Sequence, residues 1–162
     1  MSIKDQVSPE QWKALFNAPA AAATYVSMAS GGKLEMFSEM LTAGKFLREL
    51  AEKESGTGYG ELVDDLLAAM KGMSTKEVKA GAMQFQSKDP EGLQAEVKQA
   101  VADGGAVAAD LPGGDGYKRW LLDMAREVAK TKTGGFLGIG SKSVVDEKEK
   151  AALDELAAML GV

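Results

Sequence analysis

The sequence predicts an all-α fold, an irregular bundle of about seven or eight short helices. Apolar residues recur at spacings of three and four along most of the 162 residues, and helix-start signals precede several of these stretches. No segment shows the alternation of apolar and polar residues that is typical of a strand. The length fits one domain over residues 1–162, in which residues 1–8 are a candidate flexible N-terminus.

The N-terminal part predicts two helices separated by a proline. Residues 8–11 read Ser-Pro-Glu-Gln, a capping box with proline at the first helical position. Pro19 is expected to interrupt or kink the helix that starts there. Residues 20–28 then predict a second short helix, which the glycine pair at 31–32 ends.

Residues 33–54 form the longest periodic segment, and they predict a helix with an unusually broad apolar face. Such a helix is either central in the bundle or covered by a partner. The side chains that we single out as a candidate interaction or ligand face are Met36, Phe37, Met40, Phe46 and Leu50.

The middle of the chain predicts three further helices. The first spans about residues 59–71, and a capping box at Ser74–Glu77 opens a weaker one that extends to about residue 86. Asp89 and Pro90 start the third, which reaches about residue 109. The glycine pair at 104–105 is expected to interrupt it, because glycine is a poor helix former.

The C-terminal part predicts two helices on either side of a glycine-rich loop. Residues 115–132 have the cleanest amphipathic pattern, and residues 146–160 form the last helix. The loop does not match a phosphate-binding loop, because that pattern requires lysine where Ser141 stands. We therefore predict a structural loop and no cofactor. The residues of this loop are Gly135, Phe136, Leu137, Gly138, Ile139 and Gly140.

The composition excludes several classes of site. Cysteine and histidine are absent, which excludes disulfides, thiolate chemistry and a serine–histidine–acid triad. The net charge of −5 argues against a nucleic-acid partner. The N-terminus does not read as a signal peptide and no stretch is long enough to span a membrane, so we expect a cytoplasmic protein.

Acidic residues are scattered rather than arranged as metal ligands. The groups that we considered are Asp64 with Asp65, Asp103 with Asp110 and Asp115, and Asp146 with Glu147 and Glu149. None has the spaced pattern of a calcium loop, so the sequence predicts no metal site and no catalytic residue.

Three C-terminal stretches carry a resemblance to a known group of proteins. Residues 117–122, 134–140 and 144–153 resemble small bacterial all-helical proteins of uncharacterised function. The resemblance covers about residues 115–161 and implies no activity. The last helix is also faintly similar to that of the tellurite-resistance TerB-like bundles, whose acidic Asp-Gly motif is tied to metal binding. The acids that should follow Asp103-Gly104 are missing here, so no site is carried over.

Three functions follow from these observations, and all remain open at this point. The first is a non-enzymatic helical protein that acts through protein–protein contacts, either with an unknown partner or with itself as a homodimer. The second is a bundle that binds an apolar small molecule, which the nine methionines favour because methionine lines adaptable apolar grooves. The third is an acidic metal binder or an enzyme that uses carboxylates.

Overall fold

The computed structural model describes residues 3–29, 58–81, 86, 89–131 and 147–162. These residues form no strand, so the all-α prediction is confirmed. A single helical turn, α1 (Ile3–Gln6), precedes six longer helices in the described part of the chain. They are α2 (Pro9–Ala29), α3 (Glu61–Lys71), α4 (Thr75–Gly81), α5 (Pro90–Ala109), α6 (Gly114–Thr131) and α7 (Glu147–Leu160). Apart from the single turn of α1, the described residues contain six helices rather than seven or eight, and helices α2 and α5 each continue through a residue that was expected to break them.

Helix α2 runs through Pro19 for 21 residues, so the predicted second short helix after this residue does not exist. Proline has no backbone N–H, and the carbonyl of Leu15, four residues earlier, therefore cannot receive its usual helical hydrogen bond. The hydroxyl of Tyr117 on α6 donates to this carbonyl at 2.8 Å, and both residues are fully buried. A tertiary contact thus supplies the hydrogen bond that the proline cannot make.

Helix α5 likewise continues through Gly104 and Gly105, which corrects the predicted interruption. A Cβ atom at Gly104 would lie 2.4 Å from the Cβ of Ala18 on α2, closer than two carbon atoms can approach. Glycine is therefore required for the close contact between α2 and α5, the most extensive helix–helix contact among the described residues. Packing against α2 outweighs the roughly 1 kcal/mol by which glycine disfavours a helix.

The core is centred on α2, which packs against α5, α6 and α7. Every residue of α2 from Leu15 to Val26 is buried, which is possible because most of them are small. The other helices also turn apolar side chains toward the core. These buried side chains are Leu62, Val63, Leu66, Leu67 and Met70 on α3, Tyr117, Trp120, Leu121 and Met124 on α6, and Leu153, Leu156 and Leu160 on α7.

The predicted helix starts are also confirmed. The backbone N–H of Ser8 donates to Gln11 Oε1 at 2.9 Å, and the N–H of Gln11 donates back to Ser8 Oγ at 3.1 Å. Ser74 and Glu77 make the same reciprocal pair at 2.6 and 3.1 Å. Asp89 caps α5 by accepting a hydrogen bond from the N–H of Gly92 at 2.9 Å. Each cap satisfies a helix N–H that has no partner within the helix.

The turn between α5 and α6 depends on glycine. Gly113 has a φ of 81°, a left-handed conformation that other residues rarely adopt. A Cβ at Gly116 would lie 1.7 Å from the carbonyl oxygen of Tyr59, and one at Gly114 would lie 1.8 Å from that of Ala108. The backbone before α3 can therefore pack directly on the start of α6.

Candidate functional site

Both groups of site residues predicted from the sequence lie outside the described part of the chain. Met36, Phe37, Met40, Phe46 and Leu50 fall within residues 30–57, and the predicted loop Gly135, Phe136, Leu137, Gly138, Ile139 and Gly140 falls within residues 132–146. The apolar face and the structural loop therefore stay predictions.

The described residues form an open groove of about 450 Å³ between α2 and α5, beside Gln86. Helix α2 contributes Glu10, Lys13, Ala14 and Asn17 to its wall. These four positions are spaced by three and four residues, so they share one face of the helix.

Helix α5 contributes a face with the same spacing, made by Glu96, Gln99, Ala100 and Asp103. Each helix thus presents, in order, a glutamate, a long polar side chain, an alanine and a short polar side chain. This repeated pattern is visible in the sequence and was missed there, because it is also typical of a solvated helix face. Only the packing of α2 on α5 brings the two faces to one groove.

The two helices run antiparallel. Gly104 faces Ala18, whereas Lys98, earlier on α5, lies over the ring of Tyr25, later on α2, with Nζ 5.6 Å from the ring centre. Asp103 is therefore level with Asn17, and the two glutamates stand toward opposite ends of the groove. At a rise of 1.5 Å per residue, the backbone positions of the glutamates are roughly 20 Å apart along the helix axes.

Hydrogen bonds hold several side chains of the groove in place. The side-chain amide of Gln99 donates to Asp103 Oδ1 at 2.8 Å, and the backbone N–H of Gln86 donates to Glu96 Oε1 at 2.8 Å. Asn17 donates through Nδ2 to the carbonyls of Lys13 and Gly81, both at 3.0 Å. The groove wall is therefore largely preorganised.

Asn17 is the most buried polar residue of this wall, with 5% of its surface exposed. Its Oδ1 atom is shielded from solvent and has no hydrogen-bond partner. An unsatisfied buried carbonyl is costly and uncommon in folded proteins.

A second polar cluster joins α2, α5 and α7. The hydroxyl of Tyr25 donates to one carboxylate oxygen of Glu155, and Lys98 forms an ion pair with the other. Burial and the hydrogen bond to Glu155 raise the pKa of Tyr25. The hydrogen bonds from Lys98 and Tyr25 lower the pKa of Glu155. All three side chains interact with one another, so we interpret this cluster as a structural contact that links the three helices.

A further polar contact links the segment before α3 to α6. The hydroxyl of Tyr59 donates to Asp123 Oδ2 at 2.6 Å, and Arg126 pairs with Asp123 Oδ1 at 2.9 Å. The side chains of Asp123 and Arg126 are both more than two-fifths exposed. Such a pair contributes little to stability.

The acidic groups considered for metal binding are not brought together where the structure describes them. Within residues 3–29, 58–81, 86, 89–131 and 147–162, no three acidic side chains are placed to hold a metal ion. Glu149, one of these acidic residues, is fully buried on α7.

Comparisons add no relative from which a function could be transferred. No protein-family model, no curated protein and no solved structure matches this chain. The resemblance to small bacterial helical proteins therefore stays a prediction. Over the described part of the chain, none of the helices combines the length and the apolar character that crossing a bilayer requires.

Proposed function

We propose that this protein is a non-enzymatic, cytoplasmic helical protein that acts by binding another polypeptide. The α2–α5 groove supports this proposal, because it is a concave surface with polar groups held in place by the fold. Among the described residues, the large apolar side chain that is exposed is Val162, at 44%. Charge and hydrogen bonds therefore contribute to the recognition of a partner that meets the described surface.

The groove is a poor site for the apolar small molecule that the methionines suggested. Seven of its nine described lining residues carry a charge or an amide and none is aromatic, although apolar atoms make up most of its surface. Pockets for drug-like ligands are instead concave sites that enclose most of the ligand and include aromatic side chains. An open groove with charged and amide groups on a largely apolar surface favours a peptide segment, which can contact both kinds of surface.

A homodimer through residues 33–54 is the second form of this proposal. The observation that favours it is the breadth of the apolar face in the sequence, which exceeds what a surface helix normally buries. Light scattering coupled to size exclusion tests it. We expect a dimer that Met40→Glu converts to a monomer, and a monomeric wild type at all concentrations would contradict this form.

The groove is tested by capture from cell extract with quantitative mass spectrometry. The test variant carries Glu10→Lys and Asp103→Lys, which reverse two groove charges. The matched control carries Glu61→Lys and Asp154→Lys, because Glu61 also lies in the first turn of its helix and Asp154 is also exposed within one. We expect a reproducible partner that the control retains and the test variant loses. A partner set that is the same for both variants would contradict a role for the groove.

A further inference from the structure

We infer that the α2–α5 groove recognises an extended segment rich in arginine or lysine on the partner. This inference rests on the proposed function and specifies the chemistry of its occupant. Three properties of the groove carry it: its net charge, its surplus of hydrogen-bond acceptors, and its length with two alanines between the charged positions.

The charge of the groove is negative. Glu10, Glu96 and Asp103 supply three carboxylates, and Lys13 supplies the one ammonium group among the described lining residues, which leaves a net charge of −2. Glu10 and Asp103 are exposed, so they are accessible to a partner. Charge complementarity of this kind selects partners and accelerates their encounter.

The hydrogen-bonding capacity of the groove points to the same occupant. Each carboxylate can accept several hydrogen bonds and donates none when ionised. The side-chain amide of Asn17 offers the groove no further donor, because its Nδ2 already donates to two backbone carbonyls. The side-chain N–H of Gln99 that bonds to Asp103 is likewise engaged. A ligand that matches this wall must therefore bring N–H donors, as guanidinium and ammonium groups do.

The shape of the groove favours an extended segment over a single cation. Its two glutamates are separated by roughly 20 Å along the helices, which a fully extended chain of about six residues spans. Ala14 and Ala100 offer small apolar surfaces at the intervening positions. The aliphatic stems of arginine or lysine side chains pack well on such surfaces while their charged ends reach carboxylates.

Titration of the ¹⁵N-labelled protein followed by NMR tests this inference directly. The probe is a six-residue peptide in which arginine alternates with alanine, at low ionic strength. Its controls are the same peptide with neutral citrulline in place of arginine, and free spermidine. We expect the arginine peptide to shift the side-chain amide signals of Asn17, Gln86 and Gln99, and to bind at least tenfold more tightly than either control.

Variants that keep the shape and remove the charge locate the binding. Glu10→Gln with Asp103→Asn should weaken binding of the arginine peptide at least tenfold. Glu61→Gln with Asp154→Asn, the matched control on α3 and α7, should change it less than twofold. Circular dichroism checks that all variants are folded. Equal binding of the citrulline peptide, or equal loss in both variants, would overturn the inference. Spermidine binding as tight as that of the peptide would overturn the assignment to a polypeptide.

The capture experiment separates this inference from the proposed function. If charge reversal in the groove removes a partner from the extract but the arginine peptide does not bind, the function stands and a basic occupant is wrong. If the peptide binds in the groove and no captured partner depends on it, the chemistry of the site stands and its role in partner binding is wrong.

Discussion

The hydrogen bond from Tyr117 to the carbonyl of Leu15 makes the strongest test of the fold. Tyr117→Phe removes only the hydroxyl, so the ring still fills the core and no large cavity forms. The carbonyl of Leu15 then has no partner, because Pro19 has no N–H to offer it. Leaving a buried carbonyl unsatisfied costs about 1–3 kcal/mol. For a chain of this size, each kcal/mol lowers the melting temperature by about 2–4 °C.

A double-mutant cycle with Pro19→Ala identifies the cause of this cost. The alanine brings back a backbone N–H that donates to the carbonyl of Leu15, so the tyrosine hydroxyl is no longer its only available donor. Tyr117→Phe should then cost less in the Pro19→Ala background than in the wild type, by about 1 kcal/mol of coupling. Burial raises the pKa of Tyr117, so its hydroxyl remains protonated and able to donate at any practical pH.

Urea unfolding followed by circular dichroism at helical wavelengths measures all four proteins of the cycle. Tyr59→Phe is the control, since this hydroxyl bonds to a partly exposed aspartate and lies far from Pro19 in the sequence. Its cost should be below about 1 kcal/mol and the same with or without Pro19→Ala. The reasoning is refuted if Tyr117→Phe costs the same in both backgrounds, because the hydroxyl would then not replace the missing N–H.

Three further predictions concern other parts of the molecule. Gly104→Ala should destabilise the protein by about 1–3 kcal/mol through overpacking. Gly105→Ala should cost less than about 1 kcal/mol, because a Cβ there meets only the end of a leucine side chain at 3.0 Å. Equal losses of stability in urea unfolding would contradict this prediction. The pKa of Glu155 is lowered in the folded protein, so its interactions stabilise the fold fully above about pH 4.3, the pKa of an ordinary glutamate. This contribution is lost as the pH falls through the lower pKa of Glu155 in the folded protein. The stability difference between wild type and Glu155→Gln should accordingly shrink on acidification, and a difference independent of pH would argue against it. From the sequence alone, Phe136→Ala should cost about 3 kcal/mol as a core truncation and Lys142→Ala should be nearly silent; ATP binding that Lys142→Ala abolishes would instead indicate a nucleotide site.

The candidate groove could not have been identified from the sequence, although its residues have a regular pattern there. Glu10 and Asn17 on one helix, and Glu96 and Asp103 on another, read as two solvated faces because each is polar and helically spaced. Their common groove depends on which helices pack together and in which direction. In the structure, that direction follows from the contacts of Gly104 with Ala18 and of Lys98 with Tyr25.

The sequence by itself determined the all-α class and the helix starts, because capping and helical periodicity depend on residues a few positions apart. The reciprocal bonds of Ser74 with Glu77 and the buried face of α3 both follow from such local patterns. Only the tertiary structure decided how far α2 and α5 extend. Pro19 and Gly104 are unfavourable in an isolated helix, and each is tolerated because a residue distant in sequence compensates for it. Tyr117 supplies the hydrogen bond that Pro19 lacks, and Ala18 occupies the space that a side chain at position 104 would fill.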